Sequence, residues 1–305
     1  MADTFGRFGN MRPKLTWINL FDVVAAIIVA VFVTISELGW LPQLVKRGYY
    51  CDDRSIQRPY TGDTITAWMI VISGFVPFFL IWLAELLFYF PTMTETSTAD
   101  APNTKYKGSF YQAVYWFCKY FRGLIIKLLI VDFLKIFAGE HRPHFIDTCR
   151  PDAVCTGNEF ISTYTCTNTD DSLYFIRDAS KSFPSGHSSI SVYEAVFMVW
   201  YLHRRVPKLR SLMALPLAQF TIALWGMFCP LSRILDNRHH WWDVLAGAII
   251  GFVAAGITCL IDCRNFNKAR PAARRAAYRD HTNLISSNNT PCKEDANLSS
   301  IVNCS

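Results

Sequence analysis

The stretch WWDVLAGAIIGFVAAGITCLI, residues 241–261, contains one charged residue and is long enough to cross a membrane. A run of about 20 apolar residues spans the hydrocarbon core of a bilayer. The 305-residue chain is 51% hydrophobic with a mean hydropathy of +0.19, and its apolar residues are clustered in similar runs. The sequence therefore predicts an all-α, polytopic membrane protein without a second soluble domain.

Six transmembrane helices account for these runs. The third is the least regular, because Lys119, Arg122 and Lys127 interrupt its apolar pattern. Such side chains either snorkel to the membrane interface or face other helices. The predicted spans are residues 17–38, 66–90, a third ending near 138, 184–202, 211–231 and 241–261.

Short basic segments between the spans predict the orientation of the chain. They lie in the N-terminus, before the third span, at residues 203–210 and at residues 264–279, and six spans place all four on one side. The positive-inside rule makes that side cytosolic. We therefore expect a cytosolic N-terminus (1–16), a six-helix membrane domain (17–263) and a cytosolic, disordered tail (264–305) whose three sequons are unused. This topology explains the net charge of +6 without a nucleic-acid partner.

The loops predicted to face outside contain four cysteines, Cys51, Cys149, Cys155 and Cys166. Disulfides persist in such oxidising surroundings. Four cysteines allow three pairings, and the spacing favours none of them over another or over free thiols.

The same outside loops carry three polar segments that are rich in ionisable residues. They are KIFAGEHRP at residues 135–143, SFPSGHSS at 182–189 and SRILDNRHHWWDV at 232–244. The predicted topology brings all three to one membrane face, although the first and last are far apart in the chain. Charged groups at this depth are costly, which indicates a functional site.

These segments have the chemistry of a phosphate site. Ser185, Gly186 and His187 follow Pro184, which favours the first turn of a helix, and helix N-termini bind anions. Three cations, Lys135, Arg142 and Arg233, accompany them without a comparable acidic cluster in the segments. Arginine matches phosphate oxygens in geometry, so a doubly charged oxyanion fits.

His239 and Asp243 are four residues apart, so on a helix they would share a face. A carboxylate that binds one imidazole nitrogen fixes the tautomer and leaves the other nitrogen free to attack. His240 would point about 100° away on such a helix, and we predict that it lies at the membrane interface beside the tryptophans.

Each of these residues also has a purely structural interpretation when taken alone. The arginines could be interfacial anchors, and the serine-glycine turn a simple helix cap. The remaining ionisable residues are predicted to be structural: Glu140 and His141 as solvated loop residues, Asp236 as a turn cap, and Asp132 and Glu194 as partners of Lys127 or of hydroxyl groups.

The conjunction of the three segments resembles a known signature. Lys135-x6-Arg142-Pro143, Pro184-Ser185-Gly186-His187 and Ser232-Arg233-x5-His239-x3-Asp243 are similar to the three motifs of the type 2 phosphatidic acid phosphatase superfamily, and more narrowly to the animal lipid phosphate phosphatases. The resemblance covers about residues 15–265 and implies a phosphatase core with an extracytoplasmic active site. His239 would be the nucleophile, His187 the general acid and Asp243 the residue that orients His239. The expected phosphate ligands are Lys135, Arg142, Ser185, Gly186 and Arg233.

The resemblance also implies the substrate and the absence of a metal or other cofactor. We expect a phosphorylated lipid held in the bilayer, such as phosphatidate, lysophosphatidate, sphingosine 1-phosphate or ceramide 1-phosphate. The expected location is the plasma membrane with the site outside, or an internal membrane with a lumenal site. Alternatives are a catalytically silent lipid-binding scaffold or receptor, a lipid phosphotransferase, a sugar phosphatase and a transporter. The GAIIG motif, residues 247–251, fits either packing within one chain or a homo-oligomer.

Overall fold

The computed structural model of the chain describes residues 17–37, 46–88, 102–207 and 211–266. The expectations for residues 1–16 and for the tail beyond residue 266 lie outside this part. The described residues belong to one structural unit, 1–89 and 102–267. The α-helices, in chain order, are α1 (Trp17–Glu37), α2 (Ala67–Ser73), α3 (Val76–Phe88), α4 (Pro102–Ala138), α5 (Phe145–Cys149), α6 (Leu173–Asp178), α7 (Gly186–Arg205), α8 (Ala214–Leu235) and α9 (Trp241–Ile257).

Within the described residues, helices occupy each of the predicted spans. In the part of the chain that the structure describes, three helical stretches are long and apolar enough to cross a membrane by length and composition, namely Ala67–Phe88, Ala214–Leu235 and Trp241–Asp262. The first combines α2 and α3, and the last continues α9 through a π-helical turn. The other predicted spans coincide with α1, α4 and α7, so the number of six spans stays a prediction.

Helix α7 packs against α8, α9 and α4. Its contact with α9 depends on the glycines of the GAIIG motif, because a side chain at Gly247 would collide with the carbonyl oxygen of Ser185. A side chain at Gly251 would collide in the same way with the carbonyl of Ser189. The motif therefore packs within the chain, and this contact holds the start of α9 against the start of α7.

Charged groups inside the helical unit have polar partners. Glu194 accepts hydrogen bonds from the Ser73 hydroxyl and the Trp225 indole, both at 3.1 Å, which confirms its predicted role as a partner of hydroxyls. The fully buried Lys127 donates to the Ser189 hydroxyl at 3.1 Å. These bonds compensate for the removal of charged groups from water.

The loops between the helices fold into a small cap beside the ends of α4, α7 and α9. Strands β1 (Tyr49–Tyr50) and β2 (Phe160–Ile161) pair antiparallel, a minor departure from an all-α fold. Two disulfides, Cys51–Cys155 and Cys149–Cys166, select one of the three possible pairings. A buried cluster fills the cap, formed by Tyr49, Ile56, Phe145, Cys149 and Ala179.

Candidate active site

The three polar segments meet in space, as the predicted topology requires. The Nη1 atom of Arg142 lies 3.4 Å from Nε2 of His239, which joins the first segment to the third. Gly186 starts α7 beside the end of α4, and its Cβ position would be 3.4 Å from Nζ of Lys135. The Ser185 N–H donates to the Asp243 carbonyl at 3.1 Å, which joins the second segment to the third.

The turn between α8 and α9 places His239. Asn237 adopts a left-handed conformation with φ of 53°, which asparagine tolerates better than most residues. The backbone N–H groups of Arg238 and His239 both donate to the Arg233 carbonyl, at 3.0 and 3.2 Å. Because α9 begins only at Trp241, His239 precedes the helix, and the prediction that it shares a helix face with Asp243 is wrong.

Asp243 nevertheless lies beside His239, with Oδ2 3.8 Å from Nδ1 of the imidazole. The same oxygen accepts hydrogen bonds from the His240 N–H at 2.9 Å and from the Ser182 hydroxyl at 2.5 Å. The Ser182 hydroxyl is itself 3.5 Å from Nδ1 of His239. Ser182 thus contacts both members of the pair, a role that the sequence did not indicate because serines are common beside helix caps.

The prediction that His240 points about 100° away from the site is wrong, whereas its place at the membrane interface stays a prediction. His240 is the N-cap residue of α9 and is 9% exposed. Its ring stacks on Trp242 at 4.5 Å, and its Nδ1 lies 3.3 Å from Oδ2 of Asp243 and 3.8 Å from Oε1 of Glu140. The prediction failed because it assumed a helix that started before residue 239, whereas helix boundaries are uncertain by one or two residues.

Two further residues differ from their predicted environments, and a third keeps its predicted position. His141 is buried rather than solvated, with Nε2 2.9 Å from the Arg47 carbonyl oxygen and its ring stacked on Phe145. Glu140 is only partly exposed and accepts the Trp242 indole N–H at 2.7 Å. Asp236 ends α8 as predicted for a turn cap, but its carboxylate instead binds Arg233 and Thr64.

The second segment forms the start of α7. Ser185 is the N-cap residue and accepts the Ser188 N–H, while Pro184 precedes the cap rather than occupying the first turn as predicted. The first N–H groups of a helix have no partner within it and can bind an anion. His187, in this first turn, has a buried Nε2 atom without a hydrogen-bond partner among the described residues.

The two predicted phosphate-binding arginines are paired with carboxylates from outside the three segments. Arg142 donates to the side chain and the carbonyl of Asp178, both at 2.8 Å. Arg233 donates to Asp63 at 2.9 Å as well as to Asp236 at 2.7 Å. Sequence reasoning missed Asp63 and Asp178, because aspartates in polar loops carry no signal of their partners.

Burial and charge set the protonation of the groups in the cap. Burial, followed by the Arg142 guanidinium, lowers the pKa of His239 to about 3, so the imidazole is neutral at physiological pH. Burial alone would raise the pKa of Asp178, but the guanidinium groups of Arg142 and Arg238 lower it well below the usual value. A neutral His239 is the protonation state that a nucleophile requires.

A group of residues with metal-ligating atoms also lies here. Glu140, His240 and Asp243 each offer a ligand atom within 4.8 Å of the others. Sequence spacing did not indicate this group, because Glu140 is far from the other two residues in sequence. In this structure Glu140 and Asp243 already accept hydrogen bonds from Trp242, Ser182 and the His240 N–H. The imidazole of His240 thus lies between the carboxylates of Glu140 and Asp243.

Comparison with known proteins identifies relatives of the chain. The family model described as the PAP2 superfamily matches residues 116–266, which include all three polar segments. A Drosophila melanogaster protein named putative phosphatidate phosphatase is 31% identical, over 69% of this chain and 59% of its own length. A Caenorhabditis elegans phospholipid phosphatase homologue is 32% identical, over 82% of this chain and 74% of its own length.

A mammalian relative is similar over nearly its whole length. Phospholipid phosphatase 1 of Rattus norvegicus is 30% identical, over 91% of this chain and 95% of its own length. No solved structure matches the chain. The three motifs and these relatives show that the chain belongs to the PAP2 superfamily and, within it, to the animal lipid phosphate phosphatase family.

Proposed function

We propose that the chain is a metal-independent lipid phosphate phosphatase, which acts on phosphatidate, lysophosphatidate, sphingosine 1-phosphate and similar lipids. The observation that carries the proposal is the approach of Arg142 to His239, 3.4 Å between Nη1 and Nε2, beside the start of α7. A cation and a neutral imidazole at a helix N-terminus are suited to bind and attack phosphorus. The relatives named phospholipid phosphatase support lipid phosphates as the substrate class.

The first step is the attack of His239 on the phosphate. Nδ1 of the ring faces Asp243 and Ser182, so a proton on Nδ1 leaves the lone pair on Nε2. Nε2 forms a bond to phosphorus while the bond from phosphorus to the lipid oxygen breaks, which yields a phosphohistidine. Asp243 then stabilises the positive charge that develops on the ring.

The leaving lipid alkoxide needs a proton, which His187 would supply. Its buried Nε2 has no hydrogen-bond partner among the described residues and is therefore available to a substrate. In the second step the neutral His187 takes a proton from water, whose oxygen attacks phosphorus while the bond from phosphorus to Nε2 of His239 breaks, which releases inorganic phosphate and neutral His239. The proton ends on His187, which restores the starting state for the next turnover.

The phosphate oxygens would be held by a fixed set of donors, so that charge in the transition state meets groups that are already oriented. Lys135 and Gly186 lie together, and Arg142 faces His239. The proposed phosphate ligands are Lys135, Arg142, Ser185, Gly186 and Arg233. Arg233 is 1% exposed and would act through a guanidinium that Asp63 and Asp236 already orient.

We further propose six spans with the active site on the extracytoplasmic face, in the plasma membrane or in an internal membrane with a lumenal site. Two disulfides in the cap support this orientation, since disulfides persist outside the cytosol. A phosphate site at the membrane surface suits a substrate whose acyl chain remains in the bilayer. The reaction needs no metal, because fixed cations neutralise the phosphate.

The test is phosphate release by purified protein in detergent micelles that contain lysophosphatidate. We expect turnover in excess EDTA, inhibition by vanadate and no turnover in His239→Ala. Binding of the lipid without release of phosphate would instead indicate a scaffold or receptor, and transfer to an added lipid alcohol a phosphotransferase. An impermeant substrate added to intact cells tests the orientation, and its hydrolysis only after permeabilisation would contradict an outward-facing site.

A further inference from the structure

Beyond the motif residues, the cap contains a continuous chain of ion pairs that links Arg142 to Arg233. Asp178 contacts Arg142 at 2.8 Å through Oδ1 and Arg238 at 3.1 Å through Oδ2. Asp63 contacts Arg238 at 3.1 Å and Arg233 at 2.9 Å through Oδ1. We call this set, Arg142–Asp178–Arg238–Asp63–Arg233, the ion-pair chain.

We propose that Arg238 is a positioning residue of the phosphate site. It binds the two carboxylates, Asp63 and Asp178, that orient the phosphate-binding guanidinium groups of Arg233 and Arg142. The inference rests on the proposed function for the identity of the phosphate site, and it adds a residue at a position that the third motif leaves unspecified. Arg238 itself touches neither the substrate nor the nucleophile's ring in this account.

The members of the ion-pair chain come from distant parts of the sequence. Asp63 precedes α2, Arg142 follows α4, Asp178 ends α6, and Arg233 and Arg238 lie at the end of α8 and in the turn after it. Arg238 is thus the point at which the two arginine environments are joined. The backbone of Arg238 also contacts Arg142 directly, because its carbonyl accepts a hydrogen bond from Nη1 of Arg142 at 3.2 Å.

The surroundings of Arg238 require a planar, forked cation. Nη1 is 3.2 Å from Nε2 of His144, and Nη2 donates to Asp178 at 3.1 Å. Nε lies 3.1 Å from Oδ1 of Asp63 in an ion pair without hydrogen-bond geometry. Tyr60 and Phe175 lie 5.6 and 5.2 Å from the guanidinium carbon, within the range of cation–π contacts. A lysine has the charge but a single donor centre, so it cannot bind both carboxylates in the same geometry.

Charge balance predicts what the loss of Arg238 would do. At present Asp63 and Asp178 each interact with two guanidinium groups, and Arg238 is one of them in both cases. Without Arg238, one positive charge is lost and each carboxylate retains a single arginine partner. The unbalanced carboxylates would repel a dianionic phosphate and compete with it for Arg142 and Arg233. Phosphate affinity should therefore fall more than the rate of the chemical step.

The experiment measures vanadate binding to full-length protein in detergent by thermal shift, together with KM and kcat for lysophosphatidate. We expect Arg238→Met to weaken vanadate binding and raise KM by about tenfold or more, because one partner of a buried charge network is missing. Arg238→Lys should give an intermediate loss. Arg58→Met, which changes an exposed arginine in the segment that carries Asp63, should bind vanadate like the wild type.

A second substitution separates positioning by charge from simple structural support. Adding Asp63→Asn to Arg238→Met removes one unbalanced carboxylate, so vanadate affinity should recover in part. Weaker binding in the double variant than in Arg238→Met would overturn the proposal, as would unchanged binding in Arg238→Met. If Arg238→Met does not fold, Arg238→Lys decides: reduced affinity supports the proposal and wild-type affinity overturns it. Vanadate binding that depends on Arg238 without lipid hydrolysis would refute the proposed function but support the ion-pair chain.

Discussion

Arg142 and His239 are separated by 97 positions in the chain, yet Nη1 of the arginine lies 3.4 Å from Nε2 of the imidazole. Asp178 holds Arg142 from the other side, so the guanidinium cannot rotate freely away from the ring. Nδ1 of His239 faces Asp243. In the proposed mechanism, Nε2 is the atom that would meet a bound phosphate, and the guanidinium lies beside it.

Replacing His239 by alanine should abolish both turnover and the covalent intermediate, because the proposed mechanism forms the bond to phosphorus at its Nε2 atom. The measurement is labelling of the protein by lysophosphatidate that carries radioactive phosphate, quenched under denaturing alkaline conditions in which phosphohistidine survives. His203→Ala, which changes an exposed histidine near the end of α7, should be labelled like the wild type. Labelling of His239→Ala at the wild-type level would show that another residue is the nucleophile.

The stability of the protein should decrease as the pH falls below 6.5, in part because of His144. Burial, then Arg142 and Arg238, lower the pKa of His144 to about 3 from its ordinary 6.5. Between these values the unfolded chain binds a proton that the folded protein excludes. The contribution of His144 is therefore complete above pH 6.5 and is lost by about 1.4 kcal/mol per pH unit towards pH 3.

His144→Gln removes this contribution. Thermal unfolding midpoints at about pH 7 and about pH 5 should differ less in His144→Gln than in the wild type. Some difference should remain, because the pKa of His239 is also lowered and this histidine reduces stability at acid pH in both proteins. His203→Gln serves as the control, because that histidine is exposed. An equally steep loss of stability in His144→Gln and the wild type would contradict the assignment.

The contact between α7 and α9 should not tolerate a side chain at Gly247. A valine there would collide with the Ser185 carbonyl and separate the helix that carries His187 from the turn that carries His239. Overpacking of this kind typically costs about 1–3 kcal/mol, and we expect a lower unfolding midpoint and at least a tenfold loss of activity. Gly256→Val is the matched control, since no atom lies within 4 Å of its Cβ position. Equal behaviour of the two variants would argue against this packing.

The disulfide between Cys51 and Cys155 should stabilise the cap. It closes a long loop with a sequence separation of 104 residues, and removing such a bridge costs about 2–4 kcal/mol. The double variant Cys51→Ser, Cys155→Ser should therefore unfold at a lower temperature, and reductant should no longer change that temperature to the same extent. Cys118→Ser, which removes an exposed free thiol, should leave the midpoint unchanged. A midpoint as high in the double variant as in the wild type would refute the role of the bridge.

The sequence predicted those features that depend on local composition. Apolar runs indicated the helices, and the convergence of Lys135, Arg142, Gly186 and His239 followed from counting loops. The prediction failed at His240, where a shift of the helix start by one or two residues changes the direction of the side chain. The start of α9 depends on capping by the turn before it, which the apolar pattern does not indicate. Asp63, Asp178 and Ser182 were missed since their partners lie far away in the chain, and only the folded cap brings them together.

The two disulfides link the segments of the cap that carry Asp63 and Asp178, so a newly made copy needs both bridges for a complete cap. One bridge ties the segment that leads to Asp63 to the loop before Asp178, and the other fixes the start of that same loop. Both need an oxidising compartment to form. With the cap on the extracytoplasmic side, as proposed, a copy inserted in the opposite orientation would keep four thiols in the cytosol and would lack both bridges. Biosynthesis would then couple the orientation of the chain to the completion of its active site.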